Sequence, residues 1–206
     1  NYFGDEGKSV SLVARNGAVL GTIGLHDELK DEAPRAITAL KELGAKRIVM
    51  LTGDNEHVAK NVSQHLGITE YYFGLLPEDK VARIIELKEE GEVIMAGDGV
   101  NDAAALASAT VGVAMGGIGH DATIESADIV LMADDLMKLV DAVRLARLAQ
   151  NIAVQDFWIW GVTNIFGLAL VFGGIIGPAG AAGYNFISDF FPLGNSLRAG
   201  KFGQKP

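Results

Sequence analysis

The segment Ala96–Ala103 reads AGDGVNDA and sets two carboxylates, Asp98 and Asp102, four residues apart, with glycines around the first and Asn101 beside the second. Oxygen donors of this kind suit Mg2+, which commonly takes one or two carboxylates and completes its shell with phosphate and water. Asn101 adds an amide that can hold a phosphoryl oxygen without adding negative charge. Upstream, TGDN at 52–55 offers a hydroxyl, a flexible glycine amide and a carboxylate just ahead of a helix start. Backbone N–H groups and the helix dipole favour an anion there. PEDK at 77–80 places Lys80 on the first turns of another helix. Each stretch alone has an ordinary use: Thr-Gly-Asp as a capped helix start, Lys80 as a solvated charge, Gly-Asp-Gly as a turn. Together, in this order and each expected after its own strand, they point to a phosphoryl-transfer site.

Such a site needs strands that end beside it. RIVML (47–51), EVIMA (92–96), VGVAM (111–115) and DIVLM (128–132) are short apolar runs of the kind buried on both faces of a parallel sheet. Helices are expected over 31–43, 55–66, 77–89 and 102–108, and from Asp135 to about Asn151. Gly44, Gly67 and Gly91 act as stops and Pro77 as a start. Strands alternating with helices imply parallel βαβ units, hence an α/β fold with a doubly wound parallel sheet, which binds ligands at the carboxyl ends of its strands. Ahead of it, residues 9–25 alternate around Asn16-Gly17, the pattern of a β-hairpin.

Charge divides the chain. Its 206 residues carry a formal charge of −9, which argues against a nucleic-acid partner. There is no cysteine, so no disulfide and no thiolate metal site. From Phe157 through Ser188 no side chain is charged, a run longer than the ~20 residues one bilayer crossing needs. Phe157–Ile176 reads as a first span, GPAG (177–180) as a turn, and Ala181–Leu197 as a weaker second span broken by Asp189 and Pro192. Arg144 and Arg147 on one side, and Arg198, Lys201 and Lys205 on the other, place both ends in the cytoplasm by the positive-inside tendency. The alternative is an apolar core hairpin of a soluble protein.

LTGDN, PEDK and AGDGVNDAAAL, followed by VGVAMGGIGHDATIESADIVLM, resemble the phosphorylation domain of P-type cation-pumping ATPases, within the haloacid dehalogenase-like superfamily. The resemblance covers about residues 5–150, and the apolar segment with GNSLR near its end resembles the final membrane pair of the heavy-metal-transporting branch. It implies a Rossmann-like α/β domain followed by an α-helical transmembrane hairpin. Residues 1–24 would be the tail of a nucleotide-binding domain and a hairpin leading back, 25–150 the C-terminal part of the phosphorylation domain, and 151–206 two transmembrane helices with a short cytoplasmic tail. Position by position, it implies Asp98 as a Mg2+ ligand, with Asp102 as a second ligand or its support. Asn101, Thr52 and the Gly53 amide would hold phosphoryl oxygens, Lys80 would neutralise their charge, and Asp54 would organise the site. Asp27 matches an acidic position after the hairpin.

The family's phosphoryl acceptor is an aspartate in Asp-Lys-Thr-Gly-Thr, and no such run occurs here. The chain is therefore expected to be the C-terminal portion of a pump in the cell membrane, inactive alone, whose N-terminal part supplies the nucleophile. With Mg2+ and ATP as substrate, the parent would pass through an aspartyl-phosphate. Two other expectations stay open: a membrane-tethered phosphatase-like domain, for which no suitable Asp-x-Asp pair is found, and a non-enzymatic fragment docking onto a full pump. Polar groups at membrane depth are costly and so are functional suspects, which makes Asn164, Asn185 and Asp189 candidates for the transported ion. Bonding between helices is the alternative for the two asparagines. Neither span contains cysteine or methionine, which weakens a Cu(I) reading, and Asn185 with Asp189 would suit a harder divalent ion.

Overall fold

Asn16 and Gly17 both adopt positive φ, 51° and 81°, as a two-residue type I′ turn requires. They join β1 (Ser9–Arg15) to β2 (Ala18–Leu25) in an antiparallel ladder whose register shifts between Val13 and Ala14. The computed structural model describes residues 9–25, 30–97, 102–116, 126–133 and 135–201. They fall into two units, Asn1–Val140 and Asp141–Pro206.

In the first unit α1 (Ala33–Glu42) precedes β3 (Val49–Leu51), and α2 (Glu56–Leu66) leads to β4 (Glu70–Tyr72), parallel to β3. Asn55 caps α2 by accepting from the Val58 N–H at 3.1 Å, and Gly67 ends it in the left-handed conformation. Arg47 pairs with Glu70 and Glu90, binding the approach to β3 to β4 and to the end of the following helix. The Arg47 hydrogen bond holds the Glu70 carboxyl below its ordinary range. The second ladder runs β5 (Ile94–Gly97), β6 (Val111–Met115), β7 (Ile129–Leu131), all parallel. Between the ladders come α3 (Pro77–Glu90) and, after β5, α4 (Ala103–Ser108).

The sequence led us to expect one continuous sheet, and β4 was not among the expected strands. Instead, β3 and β5 share no ladder bond among the described residues. They nevertheless meet one apolar cluster: Ile84, Met95, Ala105, Leu106 and Ala109, with Leu51 of β3 and Val93 packed against it. A second cluster joins Ala36 and Ala39 of α1 to Val140.

Val140 lies near the start of α5 (Leu136–Phe172), a single helix that runs from the segment expected at 135–151 on through the apolar stretch, as the sequence suggests, to Phe172. Nothing in 136–172 breaks it, and it stops only at Gly173-Gly174, the latter at φ 69°. α5 is long and apolar enough to cross a membrane, and none of its most apolar stretch is buried. In the second unit α6 (Pro178–Ser188) and α7 (Phe190–Ser196) follow, meeting at Asp189, which keeps near-helical angles. Pro192 explains the interruption: it lacks an N–H, and its ring presses on the carbonyl four residues back, that of Ser188.

Candidate functional site

Lys80, Ile84 and Lys88 recur at every fourth residue of α3 and so share one face. Ile84, 2% exposed, anchors that face on the cluster containing Ala105 and Leu106 of α4. At one end Lys80 Nζ lies 2.6 Å from Asp102 Oδ1, with only 15% and 12% of the two side chains exposed. At the other end Lys88 Nζ donates to the Ser108 carbonyl at 2.8 Å, favourable at a helix C-terminus. α3 is thus strapped to α4 at both ends around an apolar centre. Removing one partner of a pair as shielded as Lys80–Asp102 typically costs about 3–5 kcal/mol.

Asp102 directly precedes α4, yet its carboxylate caps no backbone group there. It is folded back towards β5, so close that a Cβ at Gly97 would lie 2.9 Å from Oδ2. Only glycine leaves this room. The carboxylate therefore stands beside the residue preceding Asp98 while its other oxygen is bonded to Lys80. A buried carboxylate with an ammonium beside it, at the carboxyl end of a parallel strand, fits a site for Mg2+ and an anionic oxygen together.

The TGDN turn lies at the end of β3. Thr52 Oγ1 donates to Asp54 Oδ2 at 2.8 Å and accepts from the Asp54 N–H at 3.1 Å. The Leu75 N–H donates to the Thr52 carbonyl and the Gly74 N–H to that of Asp54. Gly53 approaches the same segment, where a Cβ would come within 3.3 Å of the Leu75 carbonyl oxygen. Residues 74–76 run straight into α3, whose first turn is fixed by Asp79 accepting from the Leu76 N–H at 2.9 Å. The turn carrying Thr52, Gly53 and Asp54 is therefore laced to the base of the helix that carries Lys80.

The structure thus joins Thr52 to Asp54 and Lys80 to Asp102. Asp27, Asp98 and Asn101 lie outside the described residues. Among the described residues no side-chain hydrogen bond links Asn164, Asn185 and Asp189: the Asn164 amide donates within its own helix, to the Trp160 carbonyl at 2.8 Å, Asn185 and Asp189 share only the helical bond from the Asp189 N–H to the Asn185 carbonyl at 3.1 Å, and both are exposed. Sequence reasoning missed contacts that tie α5 to the helices after it. Tyr184 donates to the Thr163 carbonyl at 2.7 Å and lays its ring over Gly167, and Asp156 is bonded to Asn195 and Ser196. An acid at the border of an uncharged run, facing the polar pair Asn195-Ser196 beyond its far end, was the available signal.

Comparison with known proteins places this geometry among relatives. The family model for haloacid dehalogenase-like hydrolases matches residues 2–110. A manganese-exporting P-type ATPase of Mycobacterium bovis is 41% identical over 188 residues, 91% of this chain. A probable cadmium-transporting ATPase of Staphylococcus aureus is 44% identical over 171 residues, 82% of this chain. The chain spans 26% and 21% of these relatives. The crystal structure of a zinc-transporting PIB-type ATPase in the E2.Pi state superposes with a TM-score of 0.82 at 38% identity, covering 96% of this chain and 32% of the other.

Proposed function

This chain belongs to the haloacid dehalogenase-like hydrolase family, and on that premise we propose that it is one portion of an ATP-driven pump for a transition-metal cation. The shielded Lys80–Asp102 pair carries the proposal, because it sets an ammonium and a carboxylate beside Gly97, at the end of β5. Asp98 and Asp102 would hold Mg2+, which when bound supplies positive charge to the phosphoryl oxygens. Lys80 adds a second cation at the same place, where developing charge is worth most to neutralise. The Gly53 N–H, the Thr52 hydroxyl and the Asn101 amide would act as donors to phosphoryl oxygen. The Thr52 proton is directed at Asp54 in this structure, so engaging a phosphoryl oxygen requires that hydroxyl to rotate away.

The acceptor carboxylate is not in this sequence. A strand between β3 and β5 would suit it: both rest on one apolar cluster yet share no ladder among the described residues, so a parallel strand joining them would end beside Thr52 and Gly97. That strand would belong to another part of the pump, as would the nucleotide site, and β1–β2, with Leu12, Leu20 and Ile23 exposed, would pack there too. α5 and the bent α6–α7 helix form a transmembrane hairpin in the cell membrane, with the α/β unit and the C-terminus cytoplasmic. Exposure of Trp158, Ile165 and Phe172, at 66%, 70% and 87%, supports lipid rather than a protein core around α5. Asn164, Asn185 and Asp189 stand as ligands or gates for the transported divalent or monovalent ion. The named relatives export or transport manganese, cadmium and zinc, and of these manganese suits the oxygen-rich donors Asn164, Asn185 and Asp189 best.

A chimaera tests this directly. Residues 5–201 replace the matching segment of the Staphylococcus aureus relative, and metal-stimulated ATP hydrolysis is measured in membrane vesicles. Stimulation by a divalent ion, lost in Lys80→Met, is expected. A folded, inserted chimaera that forms no Mg2+-dependent phosphoenzyme would contradict the proposal.

A further inference from the structure

Asp156 is the last charged residue of α5 before its uncharged stretch, and both its oxygens are engaged. Asn195 Nδ2 donates to Oδ1 at 2.8 Å and Ser196 Oγ to Oδ2 at 2.6 Å. The neighbouring Gln155 Oε1 accepts from Asn195 Nδ2 at 3.3 Å and from Arg198 Nη1 at 3.2 Å, and Arg198 also donates to Asn195 Oδ1 at 3.1 Å. The cluster is neutral overall, one carboxylate with one guanidinium. It joins one turn of α5 to the end of α7 and to Arg198 just beyond.

Its place in the second unit gives it a task. From Asp156 to the end of α5, and from the start of α6 to Ser196, each leg rises about 25 Å at ~1.5 Å per residue, near the ~30 Å of a bilayer core. The cluster thus closes the end of the hairpin opposite the Gly173–Gly177 turn. Midway, Tyr184 already fixes α6 against Thr163 and Gly167. Beyond Asp189, however, the helix is interrupted, and Pro192 has no N–H to bond back across the break to Ser188. A second tie is needed to fix the rotation of α7.

We propose that Asp156, Asn195, Ser196 and Arg198 form a polar clasp at one membrane face, with Asp156 as a positioning residue that sets how the leg carrying Asn185 and Asp189 lies along α5. The clasp rests on the hairpin reading above, but its own test is separate. The chain has no cysteine, so spin labels can be placed singly on the full chain in lipid nanodiscs. Val154→Cys with Leu193→Cys, both exposed, reports the clasped end, and Phe172→Cys with Ala182→Cys reports the turn end.

A narrow distance distribution is expected for both pairs. Asp156→Ala shifts the clasped-end pair to longer, broader distances and leaves the turn-end pair unchanged. Asp156→Asn retains the narrow peak, because its amide still accepts from Asn195 and donates to Ser196. Ser196→Ala broadens the clasped-end pair less than Asp156→Ala does and adds nothing to it in combination. An unchanged clasped-end distribution in Asp156→Ala, or equal broadening at both ends, would overturn the clasp. Collision of a water-soluble relaxant with a label at Ile165→Cys addresses the membrane reading alone: free access there removes the bilayer while the distances still decide the clasp.

Discussion

Lys80 and Asp102 illustrate what a side chain's partners add to its type. In the sequence Lys80 is one of several lysines on amphipathic helices, most of which are solvated. Its spacing from Ile84 and Lys88 puts it on the face that packs against α4, and there it meets a carboxylate that is nearly as shielded. Gly97 is required by the same arrangement, since its missing Cβ is what admits the Asp102 carboxylate. Gly97→Ala is therefore expected to lower stability by about 1–3 kcal/mol through overpacking. It should also weaken binding of Mg2+ with orthovanadate, read by calorimetry on a variant whose thermal unfolding remains cooperative. Undiminished affinity would show that the Asp102 position is immaterial to the site. Lys80 and Asp102 stand out in the sequence by residue type and order. The pairing of Lys80 with Asp102 was not legible there, because it depends on two helices crossing at one height, which no local pattern encodes.

At the scale of elements, local rules worked where a single residue dictates the backbone. Asn16-Gly17 made its hairpin turn, Gly67 closed α2, and Pro192 with Asp189 marked the break between α6 and α7. They failed where short segments rely on neighbours: β4 has three half-buried residues and no periodicity to detect, and it persists through its ladder with β3 and the Arg47–Glu70 pair. α5 runs on from its charged start through the apolar stretch, since Gln155 and Asp156 interrupt apolarity without interrupting helix. Two glycines of α5 make a sharp contrast. A Cβ at Gly161 meets nothing within 4 Å, whereas at Gly167 it would lie 2.6 Å from Tyr184 Cε1. Gly161→Ala should be neutral or raise stability by up to about 1 kcal/mol through helix propensity. Gly167→Ala should displace the Tyr184 ring, break its bond to the Thr163 carbonyl and lower the unfolding temperature in detergent. Equal effects from the two substitutions would mean that α6 does not pack on α5 through Tyr184.

For the whole molecule, family membership and a quarter-length match to metal-exporting ATPases agree with a division of labour readable in the charge distribution: an acidic α/β unit and a helical unit with an uncharged run from Phe157 through Ser188. The proposed phosphoryl site would lie within the first unit, drawing on the turn after β3, the base of α3 and Asp102 ahead of α4. Its direct test is calorimetric titration of orthovanadate into the 206-residue chain, with and without Mg2+, alongside Lys80→Met with circular dichroism as the fold control. Binding that requires Mg2+ and falls at least about tenfold in Lys80→Met, on the order of 1.4 kcal/mol, is the expected result. A folded chain that ignores vanadate, or binds it equally without Mg2+ and without Lys80, would contradict a phosphoryl site at these strand ends.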